Sequence, residues 1–143
     1  MCHGHDVQLD DASCWERLRA ARHGVLGTVH ATRAVDAVPV VFVVHDDQVV
    51  IPIDTVKPKA GGRLQRLRNL DRDDRAVLLV DHYDDDWSAL WWIRLDGTGR
   101  LLNRDDEYER AMKLLVDKYQ QYEQQEPSGP LIAIDVDHWT AWP

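Results

Sequence analysis

Hydrophobic positions change period several times along this chain, and each change marks an element. Trp15, Leu18 and Ala21 recur at helical spacing behind Asp11 and Ser13, either of which can cap a helix. Glu16 lies three residues after Ser13, the spacing of a capping box, and His23-Gly24 ends the helix. Residues 25–30, 38–44 and 49–53 then read as three strands in quick succession, as in an antiparallel meander, with Pro39 placing the second at an edge or a bulge. Residues 63–70 return to a helical period, with Leu64, Leu67 and Leu70 on one face, and residues 71–74 break it. Residues 75–83 and 90–102 are strands around an acidic loop at 84–86, and Gly97 and Gly99 permit a bulge in the second. The longest helix spans 105–122, with Met112, Leu115, Val116 and Tyr119 on one buried face. A polar loop at 120–130 leads to a last strand at 131–136, and Trp139 and Trp142 close the chain. Six strands and three helices result, with strands following one another before any helix intervenes. That order excludes a doubly wound parallel sheet and predicts a mainly β protein with helices, an antiparallel barrel or sheet of α+β class.

Length and charge narrow the picture. The chain has 143 residues, 44% of them hydrophobic and 29% charged, which suits one globular domain over residues 11–143 behind a flexible N-terminus at 1–10. No apolar run approaches the ~18 residues that cross a bilayer. The first ten residues lack the basic start and apolar stretch of a signal peptide, so the reading is cytoplasmic, with no membrane partner. A net charge of −8 tells against nucleic acid, whose affinity comes largely from phosphate contacts. One segment runs against that average. Lys57, Lys59, Arg63, Arg66 and Arg68 fall within 57–70 without an acidic residue, which points to a small anionic ligand.

The chemistry-bearing residues form four groups. Lys57-Pro58-Lys59-Ala60-Gly61-Gly62-Arg63 puts cations and glycine N–H groups at a helix start, as a phosphate or carboxylate site does, and equally as a solvated basic face does. It lacks the spacing and the Lys-Ser/Thr ending of a P-loop. The run from Asp81 to Trp87 reads first as a polar hairpin connection, and otherwise as a divalent-cation site or an acidic partner for a basic loop. Trp91 and Trp92 are adjacent on a strand, so one faces the core and the other a ligand or a partner. Cys2 and Cys14, with His3 and His5, lack a paired-ligand motif, so reduced thiols and no metal are expected. No serine sits in a nucleophile elbow, and no catalytic side chain is assigned. Hydride transfer by a bound cofactor needs none, because the protein then supplies binding, orientation and electrostatics.

Taken together, Lys57-Pro58-Lys59, Arg63 to Leu70, Arg75 to Val80, the Asp-His-Tyr-Asp-Asp-Asp-Trp run at 81–87 and Leu90-Trp91-Trp92-Ile93-Arg94 resemble the pyridoxamine-phosphate-oxidase-like family. Within it they resemble the actinobacterial branch of oxidoreductases dependent on the deazaflavin coenzyme F420. Leu26-Gly27-Thr28-Val29, Val38 to Phe42 and Gly129 to Val136 match as well, so the resemblance covers about nine-tenths of the chain, from Trp15 onward. It implies a six-stranded split β-barrel working as a homodimer, with two cofactor sites at the dimer interface and a small unsaturated organic substrate. By this resemblance Lys57, Pro58, Lys59, Ala60, Gly61 and Arg63 hold the cofactor's phosphate or acidic tail. Val41 and Ile53 lie along its ring, Asn69 begins the return to the next strand, and Trp87 and Trp91 come from the partner or the far wall. His82, Tyr83 or water would deliver the proton. The branch continues Lys-Pro-Lys with an Arg and a Thr; here Ala60 and Gly61 stand there, and Gly62 replaces a further basic residue. The N–H groups of Gly61 and Gly62 would have to compensate. The resemblance leaves two other readings open, a flavin or deazaflavin carrier and an enzyme dependent on flavin mononucleotide (FMN).

Overall fold

A computed structural model of the protein describes residues 2–3, 11–53 and 64–142. Among these residues there are eight strands: β1 (Cys2–His3), β2 (Gly24–Val29), β3 (Val35–Val40), β4 (Val43–His45), β5 (Gln48–Pro52), β6 (Arg75–His82), β7 (Trp91–Leu102) and β8 (Leu131–Trp142). The helices are α1 (Asp11–Ala20), α2 (Gln65–Arg72), α3 (Asp106–Lys118) and the short α4 (Gln121–Gln124). The expectation of a mainly β, antiparallel fold holds; the count of six strands does not. Seven strands form one antiparallel path in the order β3-β2-β6-β7-β8-β5-β4, and β1 adds a parallel pair on β8, Cys2 to Trp139 and His3 to Thr140.

The ends of that path, β3 and β4, are joined by only Val41 and Phe42. Four consecutive Cα atoms reach no further than about 11 Å, so the two edges lie close and the sheet rolls on itself. The expected strand at 38–44 is thus two strands on opposite edges. It breaks because the Phe42 backbone is drawn out of the ladder: its N–H donates to the Tyr119 hydroxyl at 3.2 Å and its carbonyl accepts from Lys118 Nζ at 3.0 Å. The same contacts stop α3. Tyr119 adopts an extended backbone (φ −117°, ψ 107°) with its hydroxyl 3.0 Å from the Phe42 and Arg22 carbonyl oxygens, so the helix expected to reach residue 122 ends at Lys118.

Two hydrophobic clusters share the sheet. The inner one fills the barrel with Leu26, Ile51, Leu78, Val80, Ile93, Leu95, Ile132 and Ile134, and α1 and α2 close over it through Cys14, Leu18, Leu67 and Leu70. The outer one lies between α3 (Tyr108, Ala111, Met112, Leu115) and Val43, Val50, Leu131 and Ala133. The run Leu131–Ile134 is therefore buried on both faces, which explains its unbroken apolar character. Beyond it β8 does not stop at Val136. A shift in register at Asp96/Gly97 lets it continue to Trp142 opposite Trp92. A Cβ at Gly97 would stand 2.1 Å from the Asp135 carbonyl oxygen, so only glycine fits the bulge.

Cys14 is fully buried and disulfide-bonded, which corrects the reduced-thiol expectation. Trp15 packs edge-on to Trp139 at 4.2 Å between ring centroids, and Trp139 is the residue with which β1 pairs, so the N-terminal segments are gathered on one strand. No helix among the described residues is long and apolar enough to cross a membrane.

Candidate functional site

The expected anion segment follows β5 in the sequence. Ile53 is buried and shares the inner cluster with Leu67 and Leu70. Lys57, Pro58, Lys59, Ala60, Gly61 and Arg63 lie outside the described residues. The chain resumes at Leu64, the N-cap of α2, where no side chain caps the helix. The first turn of α2 holds no acidic residue either, so nothing on the helix opposes an anion at its positive end.

A buried polar cluster fixes α2 against β2 and β3. Asn69 is 1% exposed; its Nδ2 donates to Thr28 Oγ1 at 3.0 Å and Asp36 Oδ2 at 2.7 Å, and its Oδ1 accepts from Gln65 Nε2 at 2.8 Å. Arg72 adds a bond to the Val29 carbonyl at 2.6 Å. The Asn69 amide, followed by Arg33, holds the Asp36 carboxyl below the usual carboxylate range. All the polar atoms of Asn69 are thus used inside the protein. Its observed work is to orient α2, the helix that begins just after the basic segment in sequence.

The aromatic residues stand elsewhere. Trp91 pairs with His82 at the far end of β6. The two rings stack 6.1 Å apart and 20° from parallel, and the Arg17 guanidinium lies 5.0 Å from the Trp91 centroid. Arg17, Arg22, His23, Asp81, His82 and Trp91 line a cavity of about 370 Å³ there. Trp87 sits on a single 3₁₀ turn, 73% exposed, with Tyr83 65% exposed nearby in sequence. Asp86 caps that turn through the Ser88 N–H and hydroxyl, and Asp84 accepts from the Asp86 N–H. Trp92 faces outward beside Trp142, under Arg94 at 5.4 Å. Of the adjacent pair, Trp91 is the one packed against the inner cluster.

The expected site residues therefore fall into three places. Asn69 lies where β6 begins, opposite Thr28 and Asp36, and Trp91 where β6 ends. From Arg75 to His82 are seven strand steps, about 23 Å. Val41 sits in the β3–β4 link and packs against the outer cluster. A single protomer does not gather these groups.

Residues 10–141 match the family model for pyridoxamine 5'-phosphate oxidase. The chain belongs to this family. Among solved structures, a conserved hypothetical protein from Mycobacterium tuberculosis aligns over 98% of this chain and 88% of its own, with a TM-score of 0.79 at 15% identity. HutZ, a heme storage protein from Vibrio cholerae, aligns over 92% of each chain with a TM-score of 0.71 at 12% identity. An FAD-binding protein from Mesorhizobium loti aligns over 93% of this chain and 92% of its own, with a TM-score of 0.68 at 14% identity. At such identities these likenesses bear on the fold alone. No curated protein matches the sequence.

Within this pyridoxamine 5'-phosphate oxidase family member, sequence reasoning missed Arg17, Thr28 and Asp36. Arg17 meets Trp91 across most of the chain, and no local pattern announces such a contact. Thr28 had a usable signal, as a polar residue on the inward side of β2 that demands a buried partner.

Proposed function

We propose that this protein is a homodimeric reductase that binds the deazaflavin coenzyme F420 and reduces a small unsaturated organic substrate. Membership of the pyridoxamine 5'-phosphate oxidase family carries this reading. The F420 preference rests on the Asp81–Trp87 run and the Leu90-Trp91-Trp92 motif that follows it.

The described residues are compatible with such a cofactor. The uncapped start of α2, positioned by Asn69, suits its anionic part, together with Lys57, Lys59 and Arg63. Pro58, Ala60, Gly61, Val41 and Ile53 belong to the same proposed pocket. When bound, the coenzyme supplies a hydride from its ring. The protein's own part is to bind, to orient and to deliver a proton, from His82 Nε2 or the Tyr83 hydroxyl.

Exposed apolar residues support the dimer. Val25, Val35 and Leu79 are exposed on the outer side of the barrel, and so is Trp142. Register joins them: Val25 pairs with Leu79, Val29 with Val35, and Trp92 with both Asp81 and Trp142. Contiguous exposed apolar residues mark an interaction surface. A second copy there would bring its Trp87 and Trp91 toward the Asn69 end of β6, which in one protomer lies about 23 Å from the Trp91 end.

A second reading, storage or carriage of a flavin or heme, is favoured by the structural likeness to the heme storage and FAD-binding proteins. Titration of the purified protein with F420, FMN and heme, followed by fluorescence or absorbance, separates the readings. Saturable binding of F420 and reoxidation of its reduced form by an added enone support the reductase. Binding without turnover supports the carrier. Preference for FMN moves the protein to the flavin-dependent members, and binding of none of the three rejects both proposals.

A further inference from the structure

We propose that Lys118 is a covalent binding site for small apolar aldehydes, which it captures as imines in a cavity at the C-terminal end of α3. The site shares the outer cluster with Val41 but holds none of the other residues of the proposed cofactor pocket. Arg19, Val43, Val44, Leu114, Asp117 and Lys118 enclose about 280 Å³ there, with aliphatic side chains from β4 and α3 forming the apolar walls.

Lys118 is unusual in its surroundings. Its Nζ donates to the Phe42 carbonyl at 3.0 Å and reaches the Leu18 carbonyl at 3.5 Å. It lies 4.2 Å from the Phe42 ring centroid and 5.4 Å from that of Tyr119. No carboxylate forms an ion pair with it among the described residues. The charged and titratable groups around it are Arg19 on α1, Arg22 just beyond it, Asp117 on α3 and Tyr119 beyond that helix. Burial first, then the charge of Arg22, pushes the amine down to about 8. Near neutrality a useful fraction is therefore the free base, the form that attacks carbonyl carbon.

The bonding supports the same chemistry. A neutral amine has two N–H groups and one lone pair. With both N–H groups directed at the Leu18 and Phe42 carbonyls, the lone pair occupies the one remaining tetrahedral position. It adds to the aldehyde carbon while the C–O π electrons move to oxygen. That oxygen takes up a proton as nitrogen loses one; hydroxide then leaves with nitrogen's second proton as water, giving a C=N bond and releasing the Leu18 and Phe42 carbonyls from the amine. No oxidant or reductant is consumed.

The test uses the full chain with benzaldehyde and sodium cyanoborohydride, which reduces the imine to a stable benzylamine, followed by peptide mass spectrometry. The chain has four lysines, at 57, 59, 113 and 118, so the comparison is internal. Label at Lys118 is expected about tenfold above that at Lys113, rising half-maximally near pH 8, where an ordinary lysine is mostly protonated. Val44→Trp, which fills the cavity and keeps the amine, is expected to lower the label at position 118 to the level of Lys113. Lys118→Arg controls for folding and is expected to keep the melting temperature within a few degrees. Equal labelling of the lysines, preference for another one, or full labelling of Lys118 in folded Val44→Trp would each overturn the proposal. None of these outcomes depends on whether F420 binds.

Discussion

The outside of the barrel has two contrasting faces. On the β4–β5–β8 side α3 covers the sheet, burying Tyr108, Met112 and Leu115 against Val50, Leu131 and Ala133. The rim there is stitched by charge: Arg100 bonds Glu107 at 2.6 Å and Asp135 at 2.7 Å, and Gln48 bonds both carboxylates. On the β2–β3–β6 side Val25, Val35 and Leu79 meet solvent. An amphipathic helix solves on one side what the chain leaves unsolved on the other. A strand pattern alone does not disclose the difference, because the two faces draw on similar residues and only the neighbours distinguish them.

The contrast can be broken most severely on the bare face. Val25→Lys with Leu79→Glu, an opposite-charge pair across the two strands, is expected to abolish self-association in analytical ultracentrifugation, a change of at least ~100-fold, while leaving the monomer folded, at a cost of about 1 kcal/mol. Loss of the fold instead would show that these residues serve the barrel rather than a partner. On the covered face Leu115→Ala is expected to cost about 2–5 kcal/mol in chemical denaturation, because the side chain is fully buried under α3. Gly97→Ala, at the bulge that lets β8 serve both halves of the sheet, is expected to cost about 1–3 kcal/mol by the same measurement.

The smallest effects are those of pH. Arg100, with help from Gln48, holds Glu107 down to about 2 from 4.5, and Arg100 likewise lowers Asp135. A depressed carboxylate stabilises the fold above its unfolded value and loses that contribution as pH falls. Melting temperature is therefore expected to drop between pH 4.5 and 2, and less so in Arg100→Met. Lys118 acts in the opposite range. Its folded value lies below its unfolded one, so the unfolded chain binds more protons between about 8 and 10.5, and stability is expected to rise with pH there. In Lys118→Met that rise should vanish.

Much of the fold is legible in the sequence, since alternation and helical spacing locate α1, α2, α3 and the long strands. What is not legible depends on contacts far apart in the chain. The split at Val41-Phe42 comes from Tyr119 and Lys118, and the extension of β8 to Trp142 comes from its partner Trp92. The disulfide of Cys14 is not legible either, because no paired-cysteine motif surrounds it. Of the candidate site, Trp91 stands in a charged, aromatic cavity and Asn69 in the polar cluster that fixes α2. Their separation was hidden, because residues close in a motif lie at opposite ends of a strand. Lys118 carried no signal either, for its distinction is its burial and not its spacing.

The central place of β8 bears on how the chain is made. It pairs with both β7 and β5, yet it follows both of these partners in the sequence. A nascent chain can zip β2, β3, β6 and β7 together early, since each is close to its partners. The β4–β5 hairpin and the underside of α3 must wait, with open edges and exposed apolar surface, until β8 emerges. Chaperone dependence during synthesis should thus concentrate on that late interval, and trimming the C-terminal strand should yield insoluble protein rather than a smaller barrel.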